Sequence, residues 1–281
     1  MKSILTVITI LIAFSINAQN FQGRAIYKTS QKSTFNMSKE KNPGMDDKMQ
    51  EEIRKRIQKM HQKTFILEFD KYNSTYKQEV VLKSPESQAK RNRIRVMSFG
   101  GSGSNDVYYK NTQEKRFANQ TEIQGKRFLV KDKLQEQTWE MSSETKNIGK
   151  YTCYKATYSK EVESKNISIK NGESVEEVKK ETIITTAWYT PQVPVSNGPG
   201  NYQGLPGLIL EINDGKKTIV CTEIILNPKE KITILEPKKG KVVSQKKFSK
   251  IQKEKSEELM EKMKSRRGMD LGNGTIIKFG G

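Results

Sequence analysis

The stretch GNYQGLPGLILEINDGKKTIVC, Gly200 to Cys221, decides the fold. Its first part is broken by glycines and a proline, and then it turns apolar. Such a loop either cradles a phosphate or makes a tight corner. A phosphate cradle opens a helix, so that backbone N–H groups and the helix dipole converge on the anion. Here LILEI, Leu208 to Ile212, reads as a strand. Asn213-Asp214-Gly215 reads as a hairpin turn and KKTIVCTEIIL as the return strand. Pro206 presets φ near −65° and Gly207 accepts φ > 0, the pair a type II turn demands. The stretch therefore predicts a corner entering an antiparallel hairpin.

Just upstream, AWYTPQVPVSNGPGNYQ carries Pro191, Pro194 and Pro199, which keep the chain extended and out of central sheet pairing. Trp188, Tyr189 and Tyr202 are large apolar bodies with polar tips. They either pack this segment across a sheet or line the mouth of a groove. Further strands are read in FQGRAIYKTS, in KTFILEFDKYNSTYKQEVVL with a turn around Lys71 to Ser74, in VYYKN, in KRFANQTEIQGKRFLVKD with a corner at Gln124-Gly125, and in TWEMSSETKNIGKYTCYKATYS. The segment KEVESKNISIKNGESVEEVKKE, near residues 160–181, has no core-building period and reads as a long loop or extended hairpin.

Met45, Met49, Ile53, Ile57 and Met60 recur every three or four residues among charged side chains, the stripe of an amphipathic helix ending near Gln62. FSKIQKEKSEELMEKMKSRR predicts a second, weakly amphipathic helix, and glycines punctuate the tail after it.

Ile4 to Ile16 is an apolar run of signal-peptide length with a small residue, Ala18, at a cleavage position. We expect residues 1–18 to be a signal peptide. Residues 19–248 are expected to form one β-rich domain, and 249–281 a basic helix and glycine-rich tail. Export places the protein in the periplasm, the outer envelope or the medium. No later segment is apolar enough to span a bilayer. The net charge of +19 fits an acidic partner. Export and the lack of interleaved aromatic and basic residues argue against nucleic acid. In an oxidising compartment Cys153 and Cys221 are expected to form a disulfide.

Catalytic constellations are scarce. His61 is the single histidine, adjacent carboxylates on helices point apart, and nothing brings Glu211 and Asp106 together. We expect no enzyme and no cofactor. Clustered methionines with His61 leave copper handling as a minor alternative, because thioethers bind Cu(I).

The motif GLPGLI, Gly204-Leu205-Pro206-Gly207-Leu208-Ile209, and IGKYTCYKATY, Ile148 to Tyr158, resemble the GLPGLI family of exported Gram-negative proteins. That resemblance implies export and no assigned activity. The element order is also similar to periplasmic lipoprotein-carrier half-barrels. The expected fold is thus α+β: a curved antiparallel sheet or half-barrel wrapping the Met45 to Gln62 helix. A groove lined by Trp188, Tyr189, Tyr202, Met49 and Ile53 would take a lipid, a peptide or an outer-membrane partner. The alternative is a sealed structural protein whose basic surface meets anionic envelope components.

Overall fold

A computed structural model describes residues 21–31, 62–79, 106–170, 173–265 and 276–279. The strands are β1 (Gly23–Gln31), β2 (Lys63–Phe69), β3 (Asn73–Gln78), β4 (Val107–Asn111), β5 (Arg116–Ile123), β6 (Lys126–Lys133), β7 (Glu140–Ile148), β8 (Tyr151–Lys170), β9 (Glu173–Thr190), β10 (Leu208–Asn213), β11 (Lys217–Leu226), β12 (Lys241–Val243) and β13 (Ile276–Phe279). Among the described residues there is one helix, α1 (Gln245–Ser265), near the C-terminus. The strands form one open sheet in the order β12-β6-β5-β4-β3-β2-β1-β11-β10-β9-β8-β13, with β7 also on β8. Every pairing is antiparallel except β12 on β6. β1 and β11 join the two runs of hairpins at the middle.

The expected α+β half-barrel around an N-terminal helix is corrected by this architecture. The described residues are mainly β and their helix is C-terminal. The stripe from Met45 to Gln62, with Met49 and Ile53, falls outside them. Something else covers the sheet, and the register identifies it. Directly paired residues share a face, so Tyr27, Phe65, Leu67, Phe69, Ser74, Tyr76, Tyr108, Lys110, Phe117 and Val130 lie on one face. Over β1 to β4 that face meets the irregular segment 191–207. Its Val193, Val195 and Leu205 join the same buried core as Tyr27, Leu67 and Phe69. Over β5 and β6 the face meets the first turns of α1, where Phe248 packs edge-on against Phe128 at 5.7 Å. The loop replaces a helix because its apolar side chains alternate with prolines and glycines. It can follow the sheet closely without needing strand partners.

The opposite face is crossed by residues 227–240. Ile232 accepts from the Gln22 side chain, Ile234 packs on Tyr109, Ala118 and Leu129, and Glu236 bridges Arg116 and Lys131 at 2.8 Å each. The turns follow the glycines: Gln124 and Gly125 both have positive φ at the β5–β6 corner, and Gly215 (φ 84°) closes β10–β11. The β2–β3 turn lies one step earlier than read from sequence. The Asp70 carboxylate accepts from the backbone N–H of Tyr72 and Asn73, so Asn73 and Ser74 already belong to β3.

Candidate functional site

Among the described residues, polar side chains converge inside the fold on the loop 191–207. It runs out from β9 at Pro191 and returns at the head of β10. Hydrogen bonds from Val195 N to Val193 O, Asn197 N to Val195 O and Gly207 N to Leu205 O, each 2.8 Å, close three-residue turns centred on Pro194, Ser196 and Pro206. These are tight γ-type turns. The type II turn expected at Pro206-Gly207 is therefore corrected: Gly207 is not among the positive-φ glycines, whereas Gly204 has φ 93° and Gly200 58°. Gly207 is needed for close approach instead. A Cβ there would sit 2.8 Å from the Pro191 nitrogen and nearer still to the Thr190 carbonyl. Gly198 has the same role, since its Cβ would be 2.9 Å from Ile209 Cβ.

Side chains of the sheet hold this loop. The Lys110 amine, fully buried, donates to Gly198 O at 2.7 Å and to Tyr202 O at 2.9 Å. No ion pair to a carboxylate is found for it among the described residues. Burial pushes its pKa down to about 7. Ser74 Oγ reaches Asn197 Oδ1 at 3.4 Å, and the Tyr27 hydroxyl donates to Ile209 O at 2.8 Å. From the far side the Trp139 indole donates to Gln203 O at 2.7 Å, and the Gln137 side chain accepts from Gln203 N at 3.0 Å. Desolvation raises the Tyr27, Tyr76 and Tyr108 phenols, so all stay protonated at ordinary pH. The arrangement fixes a backbone. It presents no nucleophile paired with a base.

Of the expected groove residues, Met49 and Ile53 lie outside the described residues, and Trp188 is turned away from Tyr189. Trp188 and Tyr189 are successive strand residues and point to opposite faces. Trp188 lies beneath Lys146 Nζ, 4.4 Å from the ring centroid, and Lys146 also bonds Glu211 at 2.7 Å. Tyr189 stands against Tyr154, with its hydroxyl 3.6 Å from Met141 Sδ. Tyr202 packs on Trp139, with centroids 6.5 Å apart. Glu211 and Asp106 have separate partners, Lys146 and Thr121. In the GLPGLI motif, Leu205, Gly207, Leu208 and Ile209 are buried, while Gly204 and Pro206 face outward.

Cys153 and Cys221 are both free buried thiols, so the expected disulfide is corrected. They stand on β8 and β11 with β9 and β10 between. Cys153 is near enough to help raise the Cys221 thiol, yet the two share no bond. Desolvation raises Cys153 to about 11 and Cys221 to about 12. Such thiols are inert. No group of three or more His, Cys, Asp or Glu side chains is placed to hold a metal among the described residues. Met45, Met49, Met60 and His61 fall outside those residues. No described helix is long and apolar enough to cross a membrane.

Lys110 is what the sequence reading missed. In VYYKN nothing marks the lysine as internal. The one usable signal was parity, because Tyr108 and Lys110 must share a face.

Residues 139–211, which contain the loop, match a family described as "Protein of unknown function (Porph_ging)". No curated protein matches. Among solved structures the chain is similar to PNGF-II in two crystal forms. In the C2 form the identity is 14% and the TM-score 0.46, covering 84% of this chain and 33% of that one. In the P21 form the values are 14% and 0.46, covering 83% and 33%. This chain spans about a third of the length of those proteins.

Proposed function

We propose that this is an exported, non-catalytic envelope protein that works as a rigid interaction module, with its basic surface against acidic groups of the envelope. One observation carries the reading. The sheet face that would hold an acyl chain or peptide is filled by the protein's own loop, with Val193, Val195 and Leu205 at most 2% exposed. A filled face favours the sealed alternative over the ligand groove. The net charge of +19 supplies the attraction to an anionic partner, and the apolar N-terminal run supports export.

The test pairs two measurements on the full chain without residues 1–18. Native mass spectrometry with added phosphatidylglycerol is expected to show a bare protein mass after mild activation. Co-sedimentation with vesicles is expected for phosphatidylglycerol-containing membranes at low salt, to fall steeply as salt rises, and to be absent for pure phosphatidylcholine. One equivalent of tightly retained lipid would restore the groove and overturn the sealed reading. Salt-insensitive or absent sedimentation would remove the basic surface as the contact.

A further inference from the structure

The long hairpin of β8 and β9 leaves the body of the sheet. From Ser159↔Ile184 to Lys170↔Glu173 its strands pair only with each other, apart from β13 on Lys165 to Ser168 of β8. At 3.3 Å per residue this arm is about 40 Å long. A free two-stranded ribbon is marginal in water. Along β8 the arm has β13 as a neighbour. On the other edge β10 pairs with β9 only at Thr186 to Thr190. Among the described residues no strand pairs with that edge of β9 from Glu173 to Thr185.

That edge has a self-complementary sequence. Residues 176–180 read Glu-Glu-Val-Lys-Lys. Two copies laid antiparallel with Val178 opposite Val178 place Glu176 opposite Lys180 and Glu177 opposite Lys179, twice each by symmetry. The same register sets Ser174 opposite Thr182 and brings Ile184 to the level of the other arm's tip. The charge pattern centres on Val178, one residue from the midpoint of the open edge, so this register covers nearly all of it. The arm from Lys160 to Glu181 holds six glutamates against five lysines, net −1, in a chain of +19. Two arms can therefore approach where two bodies repel.

We propose that the open edge of β9 is a homodimer interface, in which the arms of two copies pair antiparallel about a two-fold axis at Val178. Strand addition supplies the backbone hydrogen bonds, and the palindromic charges set the register. The ladder is short, so association is weak and concentration-dependent. The body surface assigned to acidic envelope groups stays outside this contact, so either proposal can fail alone.

The experiment is size-exclusion chromatography with light scattering over a concentration series, on the full chain without residues 1–18. The unaltered protein is expected to move from monomer to dimer. Glu176→Lys with Glu177→Lys leaves only basic charges in residues 176–180. In the β8 register these two glutamates stand opposite Ile167 and Asn166. Lys179→Glu with Lys180→Glu makes the edge wholly acidic. Each variant alone is expected to dimerise at least about tenfold more weakly, since every cross-strand pair becomes like-charged. Mixed together, the two are expected to recover dimer as a heterodimer. Hydrogen exchange should protect amides between residues 173 and 185 as concentration rises. A monomer at every concentration, a dimer indifferent to either variant, or a mixture that stays monomeric while both variants retain their far-UV spectrum would each overturn the proposal.

Discussion

The loop 191–207 and the β8–β9 arm invert the usual expectation. The loop has no regular structure, yet Val193 is 0%, Leu205 1% and Val195 2% exposed. The arm is unbroken strand on both sides, yet it leaves the core behind. Backbone regularity and burial are separate properties. A strand forms wherever a partner edge offers hydrogen bonds. A core forms wherever apolar side chains can be brought close without orphaning their polar backbone. The loop satisfies the second condition with γ-type turns, a lysine and a tryptophan. The arm satisfies only the first.

The comparison breaks most sharply at Gly207. Adding one methyl there drives it into the Thr190 carbonyl, where β9 and β10 must meet. Gly207→Ala is expected to cost about 3 kcal/mol or more, at the upper end of overpacking penalties. Urea denaturation followed by tryptophan fluorescence measures it. A loss under about 1 kcal/mol would mean the approach is loose. Leu205→Ala comes next. Its side chain is 1% exposed, and truncation of such a leucine typically costs about 2–5 kcal/mol. A loss typical of surface positions, below about 0.5 kcal/mol, would mean the loop is only laid over the sheet.

Lys110 sharpens the comparison through pH. Its folded pKa, about 7, lies below its unfolded value of 10.5. Between these the unfolded chain binds a proton that the folded chain does not. Stability therefore rises with pH across that window, and the burial penalty is full below about pH 7. The groups facing Lys110 are neutral: Tyr202 in the loop, Ser74 and Tyr76 on β3, Tyr108 on β4, and Phe117 and Asn119 on β5. The nearest carboxylate in register, Asp132 on β6, accepts from Gln245 N at the start of α1. Relative to Lys110→Met, the unaltered protein should gain on the order of 3 kcal/mol from pH 7 to about pH 9.5, at 1.4 kcal/mol per unit. Parallel pH profiles of the urea midpoint in the two proteins would contradict the assignment.

Much of the sheet was legible because hairpin corners carry their own chemistry. Gln124-Gly125 and Asn213-Asp214-Gly215 each sit between alternating runs, and each joins neighbouring strands in the structure. The site was less legible, and for three different reasons. Gly207 was read for a positive φ, yet its use is the missing Cβ. Sequence shows that a residue is glycine but not which freedom is exploited. Lys110 gives no local sign of burial, because its partners are carbonyls some ninety residues away, in the loop. Cys153 and Cys221 share a core without sharing a bond, and only the strand order reveals the two strands between them.

The arm gives the smallest expected effect, and that smallness is its test. If its strands add no core, replacing residues 162–181 by a two-residue Asn-Gly turn, which joins the native pair Glu161 and Thr182, should leave the body intact. What is lost is a ribbon whose pairing energy barely exceeds its ordering cost. The urea midpoint of the monomer should move by less than about 1 kcal/mol, within the range of changes remote from a core. Leu205→Ala in the shortened protein should cost the same as in the full-length one, since sites without shared partners add. A large loss on shortening would place part of the core in the arm and erase the contrast with the loop. Non-additivity with Leu205→Ala would show that the loop feels the arm through β9, the strand that leads directly into it.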